Sequence, residues 1–480
     1  MSRRGFLLGA LGIGAVSGLA ACGAGTGAGP LPTGAIASAE AARRLTGATR
    51  SFQLRAQTAQ VDVGGRVVST WAYGSRVPGP PIRANAGDRV TIAFANDLPV
   101  ATSVHWHGLA IRNDMDGVPG VTMSEVPSGG TFSYDFVVPD AGTHWFHPHT
   151  GMQLDRGLYA PFIVDDPREP GGYDHEWIVV LDDWTDGVGK SPEQIMANLQ
   201  QPADNSNAMG GMGMGGMDGG DVTYPLYLVN GRSAVDPDVL NAKPGQKVRL
   251  RIINAAADTI FDVALDGHNL DITHSDGYPV KPVTTGSVRI GMGERYDAIV
   301  TLQDGVFALV AKPMGKAGTA QAVLRTSPGQ VPAAGVMPTE LAGYPLTADM
   351  LTVAPGSALP ERSPDSTSDV VLAGTMNPYQ WTINGRTYDD TEPLTIGLGQ
   401  AGRFAISNHS MMSHPLHFHG HTFQVGPAGG TGARKDTLLI PPMGSVDVDL
   451  VADNPGKWMI HCHNLYHAEA GMMTRLDYTA

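Results

Sequence analysis

Gly87-Asp88-Arg89-Val90-Thr91-Ile92-Ala93-Phe94-Ala95-Asn96 is a glycine turn followed by a strand in which apolar and polar side chains alternate. The chain writes this pattern three times. Gly245-Gln246-Lys247-Val248-Arg249-Leu250-Arg251-Ile252-Ile253-Asn254 keeps the nine-residue step from Gly to Asn, and so does Gly399-Gln400-Ala401-Gly402-Arg403-Phe404-Ala405-Ile406-Ser407-Asn408. Alternation with period two buries one face of a strand, and self-similarity at a near-constant spacing marks repeated structural units. The reading is all-β: three tandem Greek-key β-sandwich domains, over residues 50–168, 174–328 and 366–480.

Composition agrees. The 480 residues suffice for several cores, and 62 Gly and 35 Pro without a long helix-period run favour short strands and turns. A net charge of −14 argues against a nucleic-acid partner and against a basic membrane-surface protein. Residues 1–30 read as a leader rather than as structure. Ser2-Arg3-Arg4-Gly5-Phe6-Leu7 is a twin-arginine signal, and the apolar run from Leu7 ends in Leu19-Ala20-Ala21-Cys22-Gly23, which resembles a lipobox. The expectation is export by the twin-arginine (Tat) machinery to the cell envelope or periplasm, with a lipid anchor at Cys22 as the sole membrane contact. The only other cysteine is Cys462, so a lipidated Cys22 leaves no intrachain disulfide.

Histidines fall into register with the repeat. Nine and eleven residues after Asn96 lie His105 and His107; the same offsets after Asn408 reach His417 and His419, and after Asn254 reach Val263 and Leu265. Five and seven residues after Gly142 lie His147 and His149; after Gly456, His461 and His463; after Gly305, Val310 and Lys312. Side chains two apart share one face of a strand, so the first and third domains each offer two H-x-H pairs and the second offers none. Eight neutral imidazoles are satisfied most economically by one metal cluster shared across a first–third domain interface. His144, His175, His268, His274, His409 and His421 are not expected as ligands, with hydrogen bonding to a ligand expected for His421.

The C-terminal run His461-Cys462-His463-Asn464-Leu465-Tyr466-His467-Ala468-Glu469-Ala470-Gly471-Met472 adds a thiolate, a further His and a Met. One Cys, two His and a weak axial Met describe a blue-copper site. Because His461 and His463 point away from Cys462, that site would be wired through the backbone to a second metal centre.

With His105-Trp106-His107-Gly108, His147-Pro148-His149 and His414-Pro415-Leu416-His417-Phe418-His419-Gly420, the chain resembles the multicopper oxidases, the family of laccases and bacterial cuprous oxidases. The resemblance implies cupredoxin-like domains and four copper ions. Type 1 copper would take His414, Cys462 and His467 with Met472 axial, and type 2 copper His105 and His417. One copper of the type 3 pair would take His107, His147 and His463, the other His149, His419 and His461. Asp116, eleven residues after His105, stands where the family has an acidic proton donor. A second relay carboxylate directly after the type 1 His is missing, since Ala468 holds that place and Glu469 follows it.

The implied reaction is one-electron oxidation of a donor coupled to reduction of O2 to water by a monomeric enzyme. The Met-rich loop 209–217, with Met209, Met212, Met214 and Met217, favours Cu(I) as donor in copper detoxification, because thioethers are soft ligands. Met412, two residues before His414, is a further candidate. Small phenols or aromatic amines are the alternative donors, and a non-enzymatic structural protein of this fold is disfavoured by the complete ligand set.

Overall fold

The computed structural model describes residues 31–169, 171–201 and 219–480. The leader with Arg3, Arg4 and Cys22, and the loop Met209 to Met217, lie outside them. Each domain is a pair of sheets built on one plan. In the first, strand Arg89–Asp97 runs parallel to Thr49–Asp62 and antiparallel to Thr131–Val137. In the second, Lys247–Asn254 lies between parallel His175–Trp184 and antiparallel Arg295–Thr301. In the third, Ala401–Asn408 lies between parallel Ser366–Met376 and antiparallel Ser445–Val451. The repeated ten-residue pattern is thus the central strand of one sheet in every domain. The fold is three tandem cupredoxin-like Greek-key sandwiches.

The facing sheets repeat as well. Ile82–Asn85, Ala160–Asp165, Gly142–His147 and His105–His107 pair parallel, antiparallel, antiparallel in that order. Val239–Asn241, Ala320–Arg325, Val306–Pro313 and Phe261–Leu265 do the same in the second domain. Leu394–Gly397, Met473–Thr479, Lys457–Cys462 and His414–Phe418 do so in the third.

The residues that end the repeat explain its constancy. Asn96, Asn254 and Asn408 are buried and each brackets the following loop. Asn96 Nδ2 donates to the carbonyls of Val100 and Val126, Asn254 Nδ2 to those of Thr259 and Ile290, and Asn408 Nδ2 to those of Met412 and Pro441. Each Oδ1 accepts the N–H two residues on, from Leu98, Ala256 and Ser410. Buried backbone groups must be paired, and one side chain pairs three of them. The opening glycines Gly87, Gly245 and Gly399 all hold φ between 81° and 87°, where a Cβ is strained.

One strand departs from the expected alternation. Arg89–Asp97 alternates exposed and buried positions, whereas Lys247–Asn254 is buried at every position but its first. Arg249 and Arg251, which should face water, are buried, Arg249 beneath Glu169 and Tyr173 of the connection between the two domains and Arg251 against the first domain. Arg251 Nη1 donates to Thr143 Oγ1, and the two guanidinium groups share the Asp297 carboxylate. Apolar packing is continuous between the second and third domains, from Val248 and Leu250 through to Cys462 and Met472. A separate core fills the first domain, around Trp106, Tyr134 and Phe146.

Candidate metal centres between the first and third domains

Strand Lys457–Cys462 pairs with His414–Phe418 so that Leu416 faces Cys462 and His417 faces His461. Cys462 therefore looks to one side of the sheet and His461 to the other. The chain then turns at Asn464, whose side chain accepts the N–H groups of Tyr466 and His467 and starts the short helix Leu465–Glu469. That turn brings His467 back over Cys462. His414 Nδ1 and His467 Nδ1 lie 3.1 Å apart, and Cys462 Sγ lies 3.6 and 3.7 Å from them. A metal bound at about 2.0 Å to nitrogen and about 2.3 Å to sulfur in a trigonal plane spaces its ligands at roughly 3.5 and 3.7 Å. The triangle fits with little adjustment. Met472 is buried beside it, with its N–H on the His467 carbonyl and its carbonyl accepting the Cys462 N–H.

The outer nitrogens of this pair are already engaged. His414 Nε2 lies 2.7 Å from Ser410 Oγ, and His467 Nε2 lies 2.9 Å from Asp221 Oδ2, which also accepts Tyr379 O–H at 2.6 Å. Burial drives His414 well below the ordinary histidine value and pushes the Cys462 thiol far above its own. Without a cation the site holds a neutral thiol and a neutral His414.

On the far side of the sheet the eight remaining imidazoles meet. His105, His107 and His417 form one group, His107, His147 and His463 a second, and His149, His419 and His461 a third. His461 Nε2 lies 3.0 Å from His419 Nε2 and 3.4 Å from His149 Nε2, so three nitrogens crowd one point. His105 stacks on His419 and His107 on His417, both at 3.8 Å between ring centres. Burial, with repulsion from neighbouring imidazoles, holds His107, His147, His149, His417, His419, His461 and His463 below their ordinary value. They are neutral, the form that binds metal.

Six buried ring nitrogens among these residues, His105 Nε2, His107 Nδ1, His147 Nε2, His417 Nε2 and both nitrogens of His463, have no hydrogen-bond partner among the described residues. Buried polar atoms left unpaired cost roughly 1–3 kcal/mol each, and a cation among them removes that cost. Imidazole and thiolate donors suit copper, zinc or iron rather than magnesium or calcium. The residues fit metal at both places.

Strand geometry alone does not pair the histidines. His105–His107 is wholly strand, but the other three strands end at His147, Phe418 and Cys462, leaving His149, His419 and His463 on the residues beyond. Pro148 lacks the N–H that would continue its ladder, and the chain turns at Gly420 and Asn464. Asp116 is fully buried: its Oδ2 accepts from His419 Nδ1 at 2.9 Å and its carbonyl lies 2.9 Å from His105 Nδ1. His421 Nδ1 lies 2.9 Å from the carbonyl of His419. His144 is buried beside Arg295 and belongs to none of the groups. Asp221, Asp436, Ser410 and Thr437, all in contact with the ten histidines, are not signalled by histidine spacing; the charged pair Lys435-Asp436 entering the apolar strand Thr437–Ile440 was the one available sign.

Multicopper oxidase family models match residues 55–169, 175–329 and 361–480. The chain is 50% identical over 498 aligned residues to multicopper oxidase MmcO of Mycobacterium tuberculosis, covering 99% of this chain and 96% of the relative. It is 29% identical to a copper resistance protein A homolog of Pseudomonas syringae pv. tomato, over 88% of this chain and 91% of that one. The crystal structure of the laccase from Botrytis aclada superposes with a TM-score of 0.75 at 26% identity, over 90% of this chain and 88% of that chain.

Proposed function

The chain belongs to the multicopper oxidase family and is an oxidoreductase; from that premise we propose that its electron donor is Cu(I), oxidised in defence against copper while O2 is reduced to water. We assign type 1 copper to His414, Cys462 and His467, with Met472 beside them as the weaker ligand it would take, and type 2 copper to His105 and His417. The type 3 pair is assigned to His107, His147 and His463 and to His149, His419 and His461. Copper so held would accept electrons singly at Cys462 and supply four to O2 among the histidines. The backbone from Cys462 to His461 and His463 is the shortest covalent link between the two places. Proton delivery at the cluster is assigned to Asp116, whose Oδ1 has no hydrogen-bond partner among the described residues.

The observation that carries Cu(I) is a set of thioethers around the His414 loop. Met411 is 52% exposed and Met443 65% exposed, and Met412 is half-buried next to Met411. Met443 N–H donates to the Ser410 carbonyl, and Asn408 ties Met412 and Pro441 together. Thioethers favour Cu(I) over harder cations. The loop Met209 to Met217 re-enters the described chain at Gly219, two residues before the Asp221 that touches His467. A relative named for copper resistance supports the same reading.

Oxygen uptake with Cu(I) and with a phenol tests it. Replacing Met411, Met443, Met209, Met212, Met214 and Met217 with Ser should cut Cu(I) turnover and leave the phenol rate unchanged. Equal loss, or equal retention, of both activities would put a laccase-like oxidase first. That second reading has one observation of its own: Asp221 already holds a phenol hydroxyl, that of Tyr379, beside His467. We further propose Tat export and a lipid anchor at Cys22; no helix of the described residues is long and apolar enough to cross a membrane. Cys22→Ala should move the mature protein from the membrane to the soluble fraction, and retention at the membrane would exclude the anchor.

A further inference from the structure

Arg295, from the domain that supplies no ligand, is fully buried and has an acceptor for each of its five N–H groups. Nε donates to the Thr143 carbonyl at 2.9 Å in the first domain. Within its own domain Nη1 donates to the Gly293 carbonyl at 3.1 Å and Nη2 to the Asp276 carbonyl at 3.2 Å. The remaining two clamp the Asp436 carboxylate of the third domain, both at 2.6 Å. A bidentate guanidinium fixes the plane of a carboxylate as an ammonium cannot. The Gly108 that follows His107 is left without a side chain for the same reason: a Cβ there would lie 2.3 Å from Arg295 Nη2 and 2.8 Å from Asp436 Oδ2.

The clamped carboxylate dictates protons. Thr437 Oγ1 donates its one hydrogen to Asp436 Oδ1 at 2.8 Å, so towards other neighbours it can only accept. Those neighbours are His107 Nε2 and His417 Nδ1, each at 3.0 Å. The Asp436 carbonyl also lies 2.9 Å from His417 Nδ1. His107 must then carry its proton on Nε2 and His417 on Nδ1. The nitrogens left bare, His107 Nδ1 and His417 Nε2, are two of the unpartnered atoms in the cluster.

We propose that Arg295 is a positioning residue that sets the tautomers of His107 and His417 through Asp436 and Thr437, so that the ligand-free domain prepares the histidine cluster to bind copper. The inference rests on the ligand assignment above. Arg295→Lys and Thr437→Val are the variants, the second guarding against a folding defect in the first. Arg251→Lys is the control: Arg251 is equally buried and also bonds across to Thr143, but its guanidinium bonds Glu176 and Asp297.

Ring-nitrogen NMR on copper-free, 15N-histidine protein should show a single tautomer for His107 and His417 in the parent and a mixture in both variants. On titration with copper, the blue thiolate band should form as in the parent while the copper held by the histidines binds roughly 10–100-fold more weakly. Parent-like tautomers and loading in both variants, or an equal loss in Arg251→Lys, would overturn the proposal. A parent that takes up no copper at the histidines would instead bring down the ligand assignment, and that is visible before any variant is made.

Discussion

In the first domain the strand at the edge of the inner sheet reads His105-Trp106-His107, and in the middle domain the strand with the same partners reads Phe261 to Leu265, with Val263 and Leu265 at the histidine positions. Both sets of side chains are buried. The same backbone thus serves as a wall of a polar cluster in one place and as ordinary core in the other. Fold and site are separable, and here the separation runs within one chain. The middle domain offers no H-x-H pair, yet it touches the histidines and their neighbours from outside: Asp221 on His467, and Arg295 on Asp436. The four histidine pairs are read at two-residue spacing, whereas the supports follow no spacing at all.

The sharpest way to break the contrast is to remove what only the third domain has. Cys462 is the one cysteine among the described residues, and no second thiolate can replace it in the triangle with His414 and His467. Cys462→Ser should abolish the intense blue band while the near-ultraviolet absorption from the histidine cluster persists. A surviving blue band would end the assignment.

Asp116 comes next. Asp116→Asn keeps a side chain of the same shape against His419 but cannot supply the proton. Copper content and reduction of the type 1 centre should hold, with reoxidation by O2 slower by roughly a hundredfold or more. Unchanged stopped-flow reoxidation would leave Asp116 as a residue that orients His419 and His105.

How much of this could be read in the sequence follows from the physics of each residue. The turn-strand-Asn repeat was legible because Gly at positive φ and Asn as a loop bracket are fixed by backbone geometry, whatever the domain does. The histidines were legible because a strand repeats every two residues. Their continuation past the strand ends was not, since Pro148, Gly420 and Asn464 redirect the chain by local turns that keep the offset but not the element. Asp221 and Thr437 were invisible because they meet their histidines only through tertiary contacts, 246 residues separating Asp221 from His467 and 330 separating His107 from Thr437, and Asp436 showed only as a charge before an apolar strand. Met443 hid in Pro441-Pro442-Met443-Gly444, a turn where its positive φ of 56° would suit Gly or Asn better.

The bracketing asparagines sharpen the contrast further. Asn254→Ala and Asn408→Ala remove equivalent bonds and should each cost about 1–3 kcal/mol in unfolding free energy. They should differ in the spectrum. The loop held by Asn408 carries Ser410 onto His414 Nε2, so only Asn408→Ala should shift the blue band or weaken type 1 copper. A shifted band in Asn254→Ala would mean that the middle domain reaches the type 1 site through its own loop, where the Ala257 carbonyl accepts the Leu465 N–H and Asp258 accepts from Asn464 Nδ2.

The smallest effect belongs to the frame between the first two domains. Asp297 is buried, which by itself would raise its pKa, but Arg249 and Arg251 hold it at about 2, with Thr143 Oγ1 donating a further bond at 2.7 Å. An unfolded aspartate titrates near about 3.9. The folded state therefore binds fewer protons over this range, and the stabilisation is complete above about pH 4 and lost as pH falls towards about 2. The shift corresponds to about 2–3 kcal/mol. Thermal melts of copper-free parent and Asp297→Asn across pH 2 to 5 isolate it, because every other titrating group is common to both. The parent should lose its advantage over the variant as pH falls, with the blue band of the copper-loaded forms unaltered. A constant gap between the two melting curves would mean that Asp297 is protonated alike in the folded and unfolded chain, and that Arg249 and Arg251 are balanced by Glu169 and Glu176 instead.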